Sequence, residues 1–497
     1  MAHNMPPVRM FTGLLMFKNR VPHAVRFWLL MVFIFFFQCT GGVYLASITQ
    51  IQGDLAFWSE DVTMASYCSL IGLNMIFPVL FRWKFFFYTR QMWFVAATGS
   101  LLCAVLAYYV NLPWLFAGVC LIAGYFKMMG MFACVSNVQL NWTPTRSFGV
   151  FLPIIYLFVL GAIRVTDIIA TYIQYDTNWK LIYCVIVVMM LFIDAITYFM
   201  MKPDHRCAPF VPLKGIDWIG HILWTATCVA GAYIFNYGEH YEWWSSIEIW
   251  RATYVFIMLA ILSVVWMLYK KDTAFIVAQA FKFGVTYFLW VILFAVTVLS
   301  GLAHYVQPIF VNGVLGFDSL NTVDLNRPQL MGIILGAILA FYAIIKLKWG
   351  VRQYLFATFI FFMAYVGTMY FLITSATPKE FLYIPVSCLS VAEIMMETGA
   401  TYILSQRIPW PYFFMNITII GFVRCGMGSA AGAAIVEHMF DINTAQYGIV
   451  ESIRECYGVG VIVCVASIML VLLSNFKATP RKLVPKVITV FRMLKAS

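Results

Sequence analysis

Six ionisable side chains stand deep inside apolar stretches of this 497-residue chain: Lys127, Arg164, Asp167, Glu393, Glu397 and Arg424. Such a group at the centre of a bilayer costs roughly 2.5–3.5 kcal/mol on insertion scales, so each is expected to face the protein interior and hold a partner. Their spacing indicates the chemistry open to them. Arg164 and Asp167 are three residues apart, share one helix face and can pair. Burial favours a neutral carboxyl, whereas the adjacent guanidinium favours the ionised one. Asp167 therefore reads either as half of a structural ion pair or as a carboxylate whose proton exchange breaks that pair. Glu393 and Glu397 are four apart, one turn along a helix. Two carboxylates so placed in low dielectric are expected to share a proton, and they read as a site for protons or a cation. Arg424 is their candidate counter-charge, or a structural partner of Glu393. Lys127 is open to two readings, contact with an anionic substrate or an ion pair. Asp194 and Glu437 lie nearer the ends of their stretches, and His221 and His304 read as ordinary helix residues.

The elements that would position these groups are apolar stretches of about 20 residues, the length that crosses about 30 Å of hydrocarbon as a helix. Fourteen are visible: 26–48, 62–81, 91–110, 113–136, 148–172, 181–200, 216–236, 251–269, 284–307, 329–346, 353–374, 381–404, 412–435 and 455–475. With 63% hydrophobic and 11% charged residues, a soluble protein is excluded. Lys and Arg mark cytoplasmic connections. Of 32 basic residues, 24 fall on one set of alternate connections, among them Arg82, Lys84, Lys202, Lys270, Lys271 and six in the tail after 475. Both ends of the chain are therefore expected in the cytoplasm. The net charge of +11 then implies anionic lipid near these loops, not nucleic acid.

The connections are short, and none is large enough for an enzyme domain. The longest outer one is expected at 308–328, with a shorter one at 437–454. The order reads as a cytoplasmic segment 1–25, a six-helix bundle 26–200, a linker 201–215, two inserted helices 216–269, a second bundle 270–475 and a basic tail 476–497. Phe11, Leu14, Leu15 and Phe17 are expected along the inner membrane interface. The glycosylation triplet at Asn141 falls on the cytoplasmic side and carries no weight. Twelve scattered cysteines form no CxxC pair, so neither a disulfide framework nor a metal site is expected. Gly332 with Gly336, and Gly428 with Gly432, form GxxxG spacings that read as tight helix packing or, less simply, a hinge. Aromatics make up 18% of the chain, and some could line a pocket for hydrophobic or cationic compounds.

Several short motifs point further. Asp217-Trp-Ile-Gly220 opens the seventh stretch, Asn236-Tyr-Gly238 and Glu242-Trp-Trp-Ser-Ser246 follow it, and Lys271-Asp-Thr-Ala-Phe leads to Ala280-Phe-Lys282. Gln307-Pro308…Gly313…Gly316 and Asn416…Arg424…Gly428…Gly432 occur later. Together with the six-two-six order, these motifs resemble the fourteen-span drug:proton antiporters of the major facilitator superfamily, the EmrB/QacA type, over essentially the whole length. There are departures. The gate between spans two and three reads Phe77-Pro-Val-Leu-Phe-Arg82-Trp-Lys84, keeping bases but losing the family's Gly and Asp. The fifth-span motif survives only as Leu160-Gly161-Ala-Ile-Arg164-Val-Thr-Asp167. Cys120 stands near the place of the fourth-span Arg, and Thr40 near that of the first-span acid.

The resemblance implies an all-α membrane protein of the major facilitator fold with 14 transmembrane helices. It would lie in the bacterial inner membrane and export lipophilic drugs or other toxic compounds against inward proton flow, by alternating access at a midplane site. Proton coupling would fall to Asp167, Glu393 and Glu397. The partners implied are the lipid bilayer, protons, a small-molecule substrate and, by the EmrB comparison, a periplasmic adaptor and an outer-membrane channel. No cofactor is expected, and no enzyme activity. Two alternatives remain: an exporter of an anionic metabolite bound by Lys127, Arg164 and Arg424, or a transporter-like protein that no longer transports. The degraded gate favours the last, and the retained buried charges disfavour it.

Overall fold

Inside hydrocarbon the backbone finds no water, so a chain this apolar closes its hydrogen bonds within each segment, as helix. The computed structural model describes residues 16–142, 147–205, 210–374 and 376–474, which are almost entirely helical. Among the described residues, twelve helices are long and apolar enough to cross a membrane, and a bent pair makes a thirteenth if counted as one span. A shorter apolar helix, Ala24–Cys39, precedes them. The protein is thus an all-α, multi-pass membrane protein. It divides into two compact units, Met1–Ile216 and Asp217–Ser497.

The first unit contains α1 (His23–Cys39), α2 (Ile48–Leu55), α3 (Ser59–Met75), α4 (Phe77–Phe86), α5 (Thr89–Tyr109), α6 (Pro113–Trp142), α7 (Phe148–Asp176) and α8 (Leu181–Met200). The continuous first span expected at 26–48 does not form. α1 stops at Cys39, and Thr40 leaves the helix in extended conformation. The second span is bent by 57° between α3 and α4, where Pro78 opens α4 and cannot donate a backbone hydrogen bond. α3 and α6 touch backbone to backbone: a Cβ on Gly72 would lie 2.1 Å from the Leu121 carbonyl oxygen, and one on Gly124 would lie 2.2 Å from that of Ser69.

Phe17, expected at the membrane interface, is instead fully buried. Its ring meets Trp93 edge-on at 6.4 Å. The backbone around it pairs with the end of α8, Lys18 N donating to Met200 O and Lys202 N to Met16 O, both at 2.8 Å. Arg26 adds its Nε–H to the Val21 carbonyl at 2.8 Å. Phe11, Leu14, Leu15, Thr143 of the glycosylation triplet, part of the linker (206–209) and the basic tail lie outside the described residues.

The second unit contains α9 (Trp218–Tyr237), α10 (Ile247–Lys270), α11 (Gly284–Gly301), α12 (Ser319–Val323), α13 (Asn326–Phe341), α14 (Val351–Leu372), α15 (Tyr383–Arg407), α16 (Trp410–Arg424), α17 (Met427–Tyr447) and α18 (Ile449–Leu473). Two expected outer loops are mostly helix. Residues 302–314 continue α11 in wider π-type turns, and α12 lies within 308–328. The 437–454 loop shrinks to Gly448, whose φ of +84° suits glycine and turns the chain from α17 into α18. In α13, a Cβ on Gly332 would lie 2.4 Å from Ser387 O, and one on Gly336 would lie 3.0 Å from Val391 Cα, so this pair of glycines lets α13 and α15 meet.

Asp217 organises the start of this unit. Its carboxylate accepts from Gly220 N at 3.1 Å, capping α9, from Trp266 Nε1 of α10 at 2.9 Å, and from Phe275 N beyond α10 at 2.9 Å. One side chain therefore ties three segments with charge-assisted bonds. Asp217→Ala should cost about 2 kcal/mol, the scale of a lost cap plus hydrogen bonds to a charge. The thermal midpoint of the purified protein in detergent checks this. Asp217→Asn, which keeps an acceptor, should fall between the two.

Candidate functional site

The charged groups of the first unit gather where α1 ends. The last carbonyls of a helix lack internal partners, and here side chains supply them. Thr40 Oγ1 donates to Phe37 O at 2.7 Å, Lys127 Nζ to Gln38 O at 3.0 Å, and the Tyr44 hydroxyl to Cys39 O at 2.8 Å. Tyr183 donates to Gly42 O at 2.8 Å. Gly42 has φ +81°, and a Cβ there would lie 2.8 Å from Cys120 Sγ, so the turn requires glycine twice over. The Lys127 ammonium thus sits at the negative end of the α1 dipole. On α7, Arg164 Nη1 lies 3.9 Å from Asp167 Oδ2, with the two side chains 15% and 28% exposed. Asp167 also interacts electrostatically with Lys127. One carboxylate therefore serves two cations. Thr40 is thus taken up by the α1 carbonyls and Cys120 by the Gly42 turn.

In the second unit the focus is a break in the helix expected at 412–435. α16 ends at Arg424. Cys425 is extended (φ −123°, ψ 138°), and Gly426, at φ +70°, starts α17. Gly428 packs into this break, where a Cβ would lie 2.0 Å from the Val423 carbonyl oxygen. Gly432, one turn on, packs against Thr297 of α11. The two glycines of one GxxxG spacing thus do different work. The freed Arg424 carbonyl accepts from Ser429 Oγ at 2.7 Å.

The Arg424 side chain reaches back to α15, where Nη1 lies 2.6 Å from Glu397 Oε2, the side chains 18% and 23% exposed. The ion pair thus joins Arg424 to Glu397. Glu393, one turn away, interacts electrostatically with Glu397 and with Tyr365. Tyr365 is buried on α14, its hydroxyl donating to Gln307 Oε1 at 3.0 Å and lying 3.2 Å from that of Tyr457 on α18. Asn416, in the same motif as Arg424, bonds Thr286 of α11 at 2.5 Å and so ties α16 to α11.

The two tyrosines, Gln38 and Tyr183 were missed in the sequence, and Gln307 was noted there only as part of a motif. A tyrosine in an apolar stretch is unremarkable among 27, and a backbone carbonyl acceptor has no sequence signature. His221, at 6% exposure, packs its ring on Phe275 at 4.8 Å, away from both charge clusters. Asp194 bonds Thr98 at 3.1 Å and lies outside them too.

Chemically, each cluster can hold or release charge at a point where a helix is interrupted. If all groups are ionised, Lys127, Arg164 and Asp167 sum to +1, and Glu393, Glu397 and Arg424 to −1. Protonating Glu397 would cancel its attraction to Arg424 and leave the helix break without its tie. The chain matches no protein-family model, and no curated protein is significantly similar to it. Removing one partner of a buried ion pair strands the other charge, at about 3–5 kcal/mol. Arg424→Gln should therefore destabilise the protein by about 3 kcal/mol, and Arg424→Gln with Glu397→Gln by clearly less. Denaturant unfolding of the four proteins in bicelles checks this, and additive losses would show that the pair carries no coupling.

Proposed function

We propose that the chain is a secondary transporter of the major facilitator type, with fourteen spans in six-two-six order, that exports a lipophilic compound in exchange for protons. The observation that carries this reading is the Glu397–Arg424 pair at an interrupted transmembrane helix. Transporters use discontinuous helices because the exposed helix ends and nearby side chains bind substrate and coupling ions at mid-membrane depth. A structural helix gains nothing from a break that must be re-satisfied by Ser429 and held by a buried ion pair. On this reading Glu397 and Asp167 exchange protons, Arg424, Arg164 and Lys127 hold them in register, and Glu393 tunes Glu397 from one turn away. The basic connections face the cytoplasm of a bacterial inner membrane. The net +1 of the first cluster favours a second reading, in which an anionic metabolite is the cargo and Lys127 and Arg164 contact it.

Inverted vesicles carrying the full-length protein distinguish these readings. A panel of lipophilic cations, neutral drugs and organic anions is added to an established proton gradient. The expected result is compound-dependent proton release by the parent protein, reduced at least tenfold in Glu397→Gln and in Asp167→Asn. Release by anions alone would select the second reading. No response to any compound from correctly inserted protein would contradict both.

A further inference from the structure

The inserted pair α9–α10 has no place in a plan of two six-helix bundles, yet its contacts run along the broken helix from one side of the break to the other. Before the break, Trp224 of α9 stacks on Phe422 of α16, ring centroids 5.3 Å apart and planes 17° from parallel. At the break, Gly231 of α9 lies against Met427, the first residue of α17. A Cβ on Gly231 would be 2.5 Å from Met427 Sδ and 2.8 Å from its Cγ. Beyond the break, Glu239 just after α9 meets His438 of α17, Oε2 to Nδ1 at 2.9 Å. Trp243 donates its Nε1–H to the same Glu239 oxygen at 2.7 Å and sets its ring edge-on to His438 at 6.0 Å.

α9 is itself firmly held. Asp217 anchors its inner end to α10 and to Phe275. α10 braces its middle through the buried Thr227 and Ser263 hydroxyls, 3.0 Å apart. α10 is otherwise largely exposed, with Ile257, Ile261 and Val265 among its exposed side chains. It backs α9 and leaves α9 as the element in contact with the break.

We propose that α9 is a splint for the interrupted helix: attached to α16 at Trp224 and to α17 at Gly231 and Glu239, it sets the angle between the two half-helices. A braced helix fastened on both sides of a joint resists bending at that joint, because any change of angle must separate at least one attachment and packed contacts do not stretch. The Glu397–Arg424 pair then holds the joint from the α15 side, and α9 from the other. Residues Trp224, Gly231, Glu239 and His438 become positioning residues for Arg424 without touching it. The inserted pair thereby acquires a task inside the second unit, the control of how readily the joint opens.

Cys425 lies within the joint and is 8% exposed, so its reaction with a maleimide reports opening of the break directly. This readout is independent of transport, and the splint can fail while the transport reading stands, or the reverse. The experiment uses full-length protein in native membranes with Cys425 as its only cysteine. Trp224→Ala, Glu239→Ala and His438→Ala should each speed labelling several-fold, as should Glu397→Gln on the opposite side of the joint. Ile261→Ala, on the exposed face of α10, should leave the rate unchanged. Should Trp224→Ala fail to fold, the two variants at the half-exposed Glu239–His438 latch decide the matter. Labelling at the parent's rate in the α9 and latch variants, with Glu397→Gln accelerated, would overturn the splint while keeping the joint. An unchanged rate in Glu397→Gln as well would overturn both.

Discussion

Every polar backbone group in a hydrocarbon layer must find its partner within the protein, and the architecture follows from that demand. Where helices run unbroken the demand is met locally, and side chains are free to be apolar. Where a helix stops inside the layer, the lost bonds must be replaced by side chains. At the end of α1, Thr40, Tyr44 and Lys127 do this by donating to three successive carbonyls. At the end of α16, Ser429 closes on the Arg424 carbonyl and the Arg424 side chain is held by Glu397. Two groups of charged residues therefore gather at these interruptions, because a break supplies the dipole ends and irregular geometry that make a buried charge tolerable.

In each unit the charges fall on neighbouring helices. In the first, α6 and α7 carry Lys127 and Arg164 with Asp167. In the second, α15 and α16 carry Glu393 and Glu397 with Arg424. The net sign is exchanged: one acid stands with two bases in the first unit, and one base with two acids in the second. Such an arrangement is expensive to maintain for packing alone, since apolar residues of similar volume would be as stable or more so.

Much of this was legible in the residues. Hydropathy located the helices, since an apolar run of 20 residues has no other stable form in a bilayer. Cost alone singled out Lys127, Arg164, Asp167, Glu393, Glu397 and Arg424, because charges in such runs demand partners, and the i,i+3 spacing paired Arg164 with Asp167. The breaks were not legible. A window of some 20 residues averages over Gly42 or Gly426 and returns an unbroken span. The partner of Lys127 is a backbone carbonyl 89 positions away, and that of Arg424 was ambiguous between two glutamates one turn apart. Phe17 was misplaced for a related reason: an apolar residue beside bases reads as interfacial, and only the tertiary strap onto α8 reveals that it is buried. The contacts of Trp224, Gly231 and Glu239 were not legible either, because each meets a helix some 200 residues later in the sequence.

The central claim is that the charge on Glu397 holds the interrupted helix closed. Hydrogen–deuterium exchange of the full-length protein in nanodiscs, parent against Glu397→Gln at one pH, addresses it most directly. The account predicts faster exchange in Glu397→Gln for the backbone amides of residues 424–430, with α18 and the first unit unchanged. Equal exchange across 424–430 in the two proteins would contradict it, since the break would then keep its geometry without the pair.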